Sequence, residues 1–420
     1  MIDLNILEKL LAPYSDIPVN VSPDLCLNAR HKDASCRICV EVCPVEAIQL
    51  TGKILSPVAL DADRCVQCGL CLHICPTGVF MHASRTEAEK KLADALKPLT
   101  KELIELACSA HPDPGLTRAP VKTVVRTNRC LAALSLPQLL SLMDGRSADL
   151  WLDDSPCANC ALGKVQTAVN RIAASANELL AAFGIAPRVR TQTQDADRLE
   201  SPMRRPLQAG DRPRYSRRDF FGSLRQIARQ AALTTASEVL AQPEQEPKTL
   251  SVEERLPHQL PMERKRLIWV LRKLATRHPI VETRVDVTYL LWTDVQITTD
   301  CSACGLCARF CPTDALQFHT VTAEDGSQSF VLSFIAADCV ACGVCAIACP
   351  EDAVQLNSSL ATVDLVQRQT RLLHSGQLAS CEFCDAPTAA QADDHVVCFV
   401  CKQRSLFEHW GAHQSLDDLL

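Results

Sequence analysis

The sequence predicts an α+β chain of several small domains, in which two cysteine-dense modules flank a small α/β domain with a parallel sheet, followed by a cysteine-bearing tail. Three observations predict this. The 420 residues exceed what one hydrophobic core serves, so two to four domains are expected. The 24 cysteines fall, in chain order, into six sets of four. Over residues 100–190, apolar runs alternate with helical patterns, as in a parallel α/β unit. The expected boundaries are 1–94 and 261–365 for the two modules, 95–190 for the α/β domain, 191–260 for a linker and 366–420 for the tail.

Hydrophobic residues make up 47% and charged residues 22%, the composition of a folded globular chain. A cysteine-rich chain is a secreted disulfide scaffold or an intracellular metal binder, and compartment decides between them. The stretch MIDLNILEKLLAPYSDIP has no basic n-region and no apolar h-region. No apolar run approaches the roughly 18 residues of a spanning helix. A soluble, cytoplasmic protein is therefore expected, where thiols stay reduced and metal is favoured over disulfides. The formal net charge of -6 argues against nucleic acid as the main partner and suits docking on basic patches.

The first module carries Cys26, Cys36, Cys39, Cys43 with Pro44, then Cys65, Cys68, Cys71, Cys75 with Pro76. The second carries Cys301, Cys304, Cys307, Cys311 with Pro312, then Cys339, Cys342, Cys345, Cys349 with Pro350. CxxCxxCxxxCP is an iron-sulfur spacing: three thiolates from a short loop wrap one face of a cubane, while the fourth, past the bend, points away. The proline stops the loop from continuing as helix. Between paired motifs lie AIQLTGKILSPVALDADRC and ALQFHTVTAEDGSQSFVLSFIAADC, each a strand, a turn and a strand.

Residues 20–82 and 295–357 each resemble a bacterial-type ferredoxin with two [4Fe-4S] clusters. The resemblance implies cross-ligation, in which the fourth cysteine of one motif serves the other cluster. Cys26, Cys36, Cys39 and Cys75 would then share one cluster, and Cys43, Cys65, Cys68 and Cys71 the next. In the second module the groups would be Cys301, Cys304, Cys307, Cys349 and Cys311, Cys339, Cys342, Cys345. The first set departs from the pattern, with nine residues between Cys26 and Cys36 and Arg37 where Gly69, Gly305 and Gly343 stand in the others. Glycine there permits positive φ, so hydrogen bonding to that cluster is expected to differ. His31, in the inserted loop, is the alternative to Cys26 as ligand and otherwise reads as a loop histidine.

In the α/β domain, KELIELACSA, VKTVVRTNRC and ADLWLDDSPCANC end in Cys108, Cys130 and the pair Cys157 and Cys160. LAALSLPQLLSLM and GKVQTAVNRIAASANELLAAFG supply helices. Ligands of parallel sheets sit beyond the carboxyl ends of the strands, where all four cysteines fall. This order resembles the delta-type subunit of methyl-viologen-reducing hydrogenases, which implies a [2Fe-2S] centre carrying electrons toward heterodisulfide reductase. From the residues alone, [2Fe-2S], [4Fe-4S], zinc and plain buried cysteines stay open. So does a reactive dithiol at Cys157 and Cys160. In the tail, CEFCDAPTAAQADDHVVCFVC sets two CxxC knuckles thirteen residues apart, the spacing of a tetrahedral S4 site at Cys381, Cys384, Cys398 and Cys401. It looks like a zinc ribbon, with His395 a bystander.

The linker contains YSRRDFFGSLRQIARQAAL. SRRDFF imitates a twin-arginine export signal, but Arg225 and Arg229 interrupt the h-region. A helix near 216–232 explains it better, with Ser216 and Asp219 as a capping box before Phe220, Leu224, Ile227 and Ala231, and arginines from Arg204 to Arg229 on its polar side. RKRLIWVLRKLATRH reads as a second basic amphipathic helix whose Leu267, Val270, Leu271 and Leu274 pack on the second module.

With no GxGxxG after a strand and no P-loop, nicotinamide, flavin and ATP have no support. The expectation is an electron-transfer protein of polyferredoxin type, more a subunit of an oxidoreductase complex than an enzyme. Four [4Fe-4S] clusters, a further centre and one zinc would pass single electrons from a low-potential donor to a larger oxidoreductase, in anaerobic metabolism. The alternative is an accessory or maturation protein for an iron-sulfur oxidoreductase, using the tail and the arginine-rich segment to bind its client.

Overall fold

Cysteine loops and prolines cut the first module into very short elements. The computed structural model describes residues 19–54, 56–82, 85–210, 256–287, 290–390 and 396–403. The first module comprises β1 (Asn20–Val21), α1 (Leu27–Arg30), α2 (Ile38–Val42), β2 (Ile48–Leu50), β3 (Val58–Leu60), α3 (Cys71–Ile74) and β4 (Phe80–Met81). β1 pairs antiparallel with β4, and β2 with β3. Helices α2 and α3 each stop at a cysteine that precedes proline. Cys43 and Cys75 take extended ψ of 115° and 119°, as the ring of the following proline demands.

The central domain follows as α4 (Arg85–Leu96), β5 (Ile104–Ala107), β6 (Leu116–Thr117), β7 (Thr123–Arg126), α5 (Leu136–Met143), β8 (Leu150–Leu152), α6 (Val165–Ala182), β9 (Val189–Thr191), β10 (Met203–Arg204) and β11 (Leu207–Ala209). Five parallel strands run in the order β11-β7-β5-β8-β9. Residues 191–210, expected as linker, instead complete this domain: β11 forms one edge of the sheet, and β10 pairs with β6. Strands of two or three residues show no alternation, which is why the pattern concealed them. Arg204, expected on a helix face, pairs with Asp113 at 2.9 Å. The helix expected near 216–232, the opening stretch and His395 lie outside the described residues.

The second module begins with α7 (Met262–Ala275) and continues through β12 (Arg284–Asp286), β13 (Asp294–Ile297), α8 (Leu306–Arg309), β14 (Leu316–Thr322), β15 (Gln328–Ile335), α9 (Val344–Ile347), β16 (Val354–Asn357), β17 (Ser359–Ala361) and α10 (Thr362–Gln367). β13 pairs with β16 and β12 with β17. The hairpin β14-β15 is longer than its counterpart β2-β3 and is extended by β18 (Thr370–Ser380) and β19 (Pro387–Ala389) into a four-stranded antiparallel sheet. The tail, expected to stand apart, is thus laced to the second module by backbone hydrogen bonds.

Leu267, Val270, Leu271 and Leu274 of α7 are buried, and the helix packs on both α5 and α10. It therefore lies between the central domain and the second module. One apolar core runs from Leu140 and Leu179 through Leu271 to Trp292 and Phe334. Among the described residues, no helix is long and apolar enough to cross a membrane.

Candidate metal centres

The four cysteine loops of the two modules share a backbone signature. Gly69, Gly305 and Gly343 have φ of 82°, 70° and 73°, as the sequence predicts, and Gly305 and Gly343 sit at the N-termini of α8 and α9. Arg37 has φ −128° at the same place, so the first loop does without the left-handed turn. A second repeat escaped sequence reasoning. Ser35, Gln67, Ala303 and Ala341, each directly before the second cysteine of its loop, have φ between 45° and 57°. Glu46, Gly78, Asp314 and Asp352, each three residues past the fourth cysteine, are also left-handed. Non-glycine residues at such φ are held there by their surroundings, and here the loop geometry recurs four times. The first loop keeps both features despite its insertion.

These loops gather the cysteines in sets. Cys26, Cys36, Cys39 and Cys75 line one cavity with Leu27, Val58 and Phe80. Cys301, Cys304, Cys307 and Cys349 line a second, and Cys311, Cys339, Cys342 and Cys345 a third. Cys43, Cys65 and Cys68 act electrostatically on Cys71. The three cavities thus bring cysteines together in the grouping that the ferredoxin resemblance implies. Peptide N–H groups point at sulfur: Ala47 donates to Cys43 Sγ at 3.3 Å and Ala353 to Cys349 Sγ at 3.2 Å, at equivalent places in the two modules. Burial, then repulsion among neighbouring thiols, pushes Cys39 and Cys307 up to about 12. At neutral pH these two thiols become thiolates only by binding a cation that displaces their protons. Apolar walls, convergent sulfurs and N–H donors fit a cubane.

His31 does not line the cavity of Cys26. Its ring meets Phe310 of the second module edge-on at 4.9 Å between centroids. Beside it Arg30 is 5% exposed and donates Nη2 to the carbonyl of Pro257; burial lowers its pKa, and Cys311 and Cys342 act on it in the opposite sense. The inserted residues therefore touch the other module.

In the central domain the four cysteines meet at the carboxyl edge of the sheet. Cys108, Cys130, Cys157 and Cys160 line a cavity of about 1060 Å³ together with Cys65 and Cys68 of the first module. Burial raises Cys130 to about 11 and Cys157 to about 12, with contributions from the other thiols of the set. Leu162 N–H donates to Cys160 Sγ at 3.4 Å. Behind Cys108 stands a buried polar group that sequence reasoning missed. His111 Nε2 contacts Asp153 Oδ2 at 2.8 Å, and Glu105, in the middle of β5, accepts from Gln192 Nε2 at 2.7 Å. Burial, then the nearby Asp153 charge, raises Glu105 to about 7. The doublet in LDDSPC and a histidine three residues past Cys108 were the available signals.

The tail holds a tighter group. Ligand atoms of Cys381, Cys384, Cys398 and Cys401 all lie within 4.8 Å of one another. Cys384 and Cys398 sulfurs are 3.6 Å apart, near the ~3.8 Å edge of a tetrahedron with Zn–S of about 2.3 Å. Cys398 N–H donates to Cys381 Sγ at 3.3 Å and lowers that thiol to about 6. Among the described residues no other group of His, Cys, Asp and Glu converges this closely, so the central set is spaced more widely than a single-ion site. Thr388 and Ala389 both donate to the carbonyl of Ser302, tying the tail to the Cys301–Cys304 loop.

A 4Fe-4S dicluster domain model matches residues 34–79 and 300–353. The first match begins beyond Cys26. An uncharacterized ferredoxin of Methanocaldococcus jannaschii is 40% identical over 47 residues, 11% of this chain and 73% of that protein. A protein named Ferredoxin 7Fe from Hydrogenibacillus schlegelii is 40% identical over 60 residues, 14% of this chain and 69% of that one. A second uncharacterized ferredoxin of M. jannaschii is 36% identical over 70 residues, 17% of this chain, which spans less than half, 44%, of that relative's length.

Proposed function

The chain belongs to the ferredoxins with 4Fe-4S dicluster domains, and on that premise we propose that it is a multi-centre electron wire between a low-potential donor and a larger oxidoreductase. Its four [4Fe-4S] clusters are held by Cys26, Cys36, Cys39, Cys75; by Cys43, Cys65, Cys68, Cys71; by Cys311, Cys339, Cys342, Cys345; and by Cys301, Cys304, Cys307, Cys349. When bound, each cluster accepts and returns one electron. The observation that carries this reading is the sorting of module cysteines into cross-ligated sets by loops of one repeated backbone shape.

Cys108, Cys130, Cys157 and Cys160 hold a fifth iron-sulfur centre, and Cys381, Cys384, Cys398 and Cys401 a structural zinc. The wide spacing of the first group and the tight spacing of the second support the difference. Adjacency supports an order. Cys65 and Cys68 share a cavity with the central set, Cys68 acts on Cys130, Cys39 on Cys71 and Cys307 on Cys345, and His31 of the first module meets Phe310 beside Cys311. The central domain is then one end of the wire and the Cys301 set the other. We place this exchange in the cytoplasm, with redox proteins or oxidoreductase subunits as partners.

Metal analysis of the full chain purified without oxygen tests the reading. About 16 iron with matching sulfide and one zinc corresponds to four cubanes, and about 18 to 20 iron adds the fifth centre. Clearly fewer than about 16 iron, or two or more zinc, overturns it.

A further inference from the structure

The nine residues between Cys26 and Cys36, where the ferredoxin pattern has two, are folded as α1 and the turn after it and meet the other module. Its Arg30 is 5% exposed, with Nε and Nη1 buried and lacking a hydrogen-bond partner among the described residues. A second arginine flanks the same place from another element. Arg264 on α7 is also 5% exposed, lies 3.9 Å over the Trp292 ring, donates Nη2 to the carbonyl of Leu291 and has Nη1 buried without a partner. Trp292, beneath Arg264, donates Nε1 at 3.2 Å to the carbonyl of Ala337, two residues before Cys339, and His31, beside Arg30, meets Phe310, the residue directly before Cys311. Arginine side chains stay charged in proteins, and a buried guanidinium without a full set of partners is costly unless a negative charge faces it.

Both nearby carboxylates are otherwise engaged. Asp338 is chelated by Arg368 at 2.7 Å, and Asp314 meets His258 Nδ1 at 2.6 Å. Two cations with no carboxylate salt bridge among the described residues therefore stand beside the loops that carry Cys311 and Cys339. Elsewhere a carboxylate, Glu41, acts on Cys36, while Glu351, near Cys301, is paired with Lys402 at 3.3 Å.

We propose that Arg30 and Arg264 make the cluster of Cys311, Cys339, Cys342 and Cys345 the highest-potential centre of the four, so that electrons collect where the two modules meet. This rests on the cluster assignment above. A cluster with four thiolates gains one negative charge on reduction, and desolvated cations stabilise the more negative state. Burial opposes this by disfavouring added charge, and the two guanidiniums decide the balance. An opposite charge at short range shifts a proton equilibrium by tenfold or more. Taking tenfold for the reduction equilibrium, each arginine raises the one-electron potential by about 59 mV.

The test is an EPR-monitored potentiometric titration of the full chain, with iron and sulfide measured on every sample. In the wild type one cluster is reduced well above the other three, and Cys345→Ser removes or alters that signal. Arg30→Gln and Arg264→Gln, at unchanged iron content, each make reduction of that cluster about tenfold less favourable, and Arg30→Lys restores most of the loss. If Arg264→Gln fails to fold, Arg30→Gln and Arg30→Lys carry the test alone. Unmoved potentials in fully loaded variants, or equal movement of all clusters, overturn the inference while leaving the electron-wire reading intact. Wild-type protein without cubane iron overturns both.

Discussion

Gly69 and Gly343 hold equivalent loop positions with similar positive φ, yet their surroundings separate them. A Cβ on Gly69 would meet Ala133 Cβ at 2.9 Å and its Cα at 3.1 Å, whereas nothing lies within 4 Å of one on Gly343. Gly343→Ala should cost about 1 kcal/mol from φ alone. Gly69→Ala should add overpacking of about 1–3 kcal/mol and loosen the Cys65–Cys71 loop from the central domain. Iron per chain and the unfolding midpoint of both variants check this. Glu105 gives a pH-dependent case. Its folded-state value of about 7 exceeds the usual 4.5, so the native state holds the proton more tightly. Stability from this group is full below about pH 4.5 and is lost as pH rises through 7, by about 3 kcal/mol at most. Glu105→Gln should therefore raise the thermal midpoint at pH 8 and change it little at pH 5. The cysteines were legible one by one because their spacing is their chemistry. Arg30, Arg264 and Glu105 were not, since a charged letter in a helix or strand reads as exposed until tertiary structure buries it.

Helix α7 shows both sides of this at the scale of elements. Its 3.6-residue period was readable and its apolar face is buried, but the face of α5 that it also covers was not implied by any pattern. Leu271 is fully buried, so Leu271→Ala should cost about 2–5 kcal/mol, while Trp269→Ala, at a 61% exposed position, should cost less than about 1. Chemical denaturation followed by circular dichroism separates the two. The hairpins between motifs lie where the strand-turn-strand pattern puts them, over Ile48–Leu60 and Leu316–Ile335. Strands β9 and β11 went unread because three residues carry no period, and β18 because its partner β15 lies 35 or more residues earlier in the chain. In the four-cysteine group that begins directly after β18, Cys401 is raised to about 12 while Cys381 is lowered to about 6, so zinc must displace a proton at neutral pH. Zinc affinity should rise from pH 6 to 9 in a competition titration with a chromogenic chelator, and Cys384→Ser should lose zinc but keep iron.

At the scale of the whole molecule, a shared core joins the central domain to the second module, because α7 closes on both, while the first module keeps a core of its own around Ile48, Val58 and Phe80. In the proposed wire it is position in the fold that orders the centres, and spacing alone does not contain it. Cys108→Ser should remove the fifth centre and leave about 16 iron, since the ligands of the four cubanes come from other loops. The central claim is that every cysteine set in the two modules carries a working one-electron centre. It is tested most directly by anaerobic reductive titration of the full chain, counting equivalents taken up and EPR spins formed. The account predicts at least four one-electron equivalents and four cubane signals, with mutual broadening of neighbours. A chain loaded with about 16 iron that accepts two equivalents or fewer would contradict it.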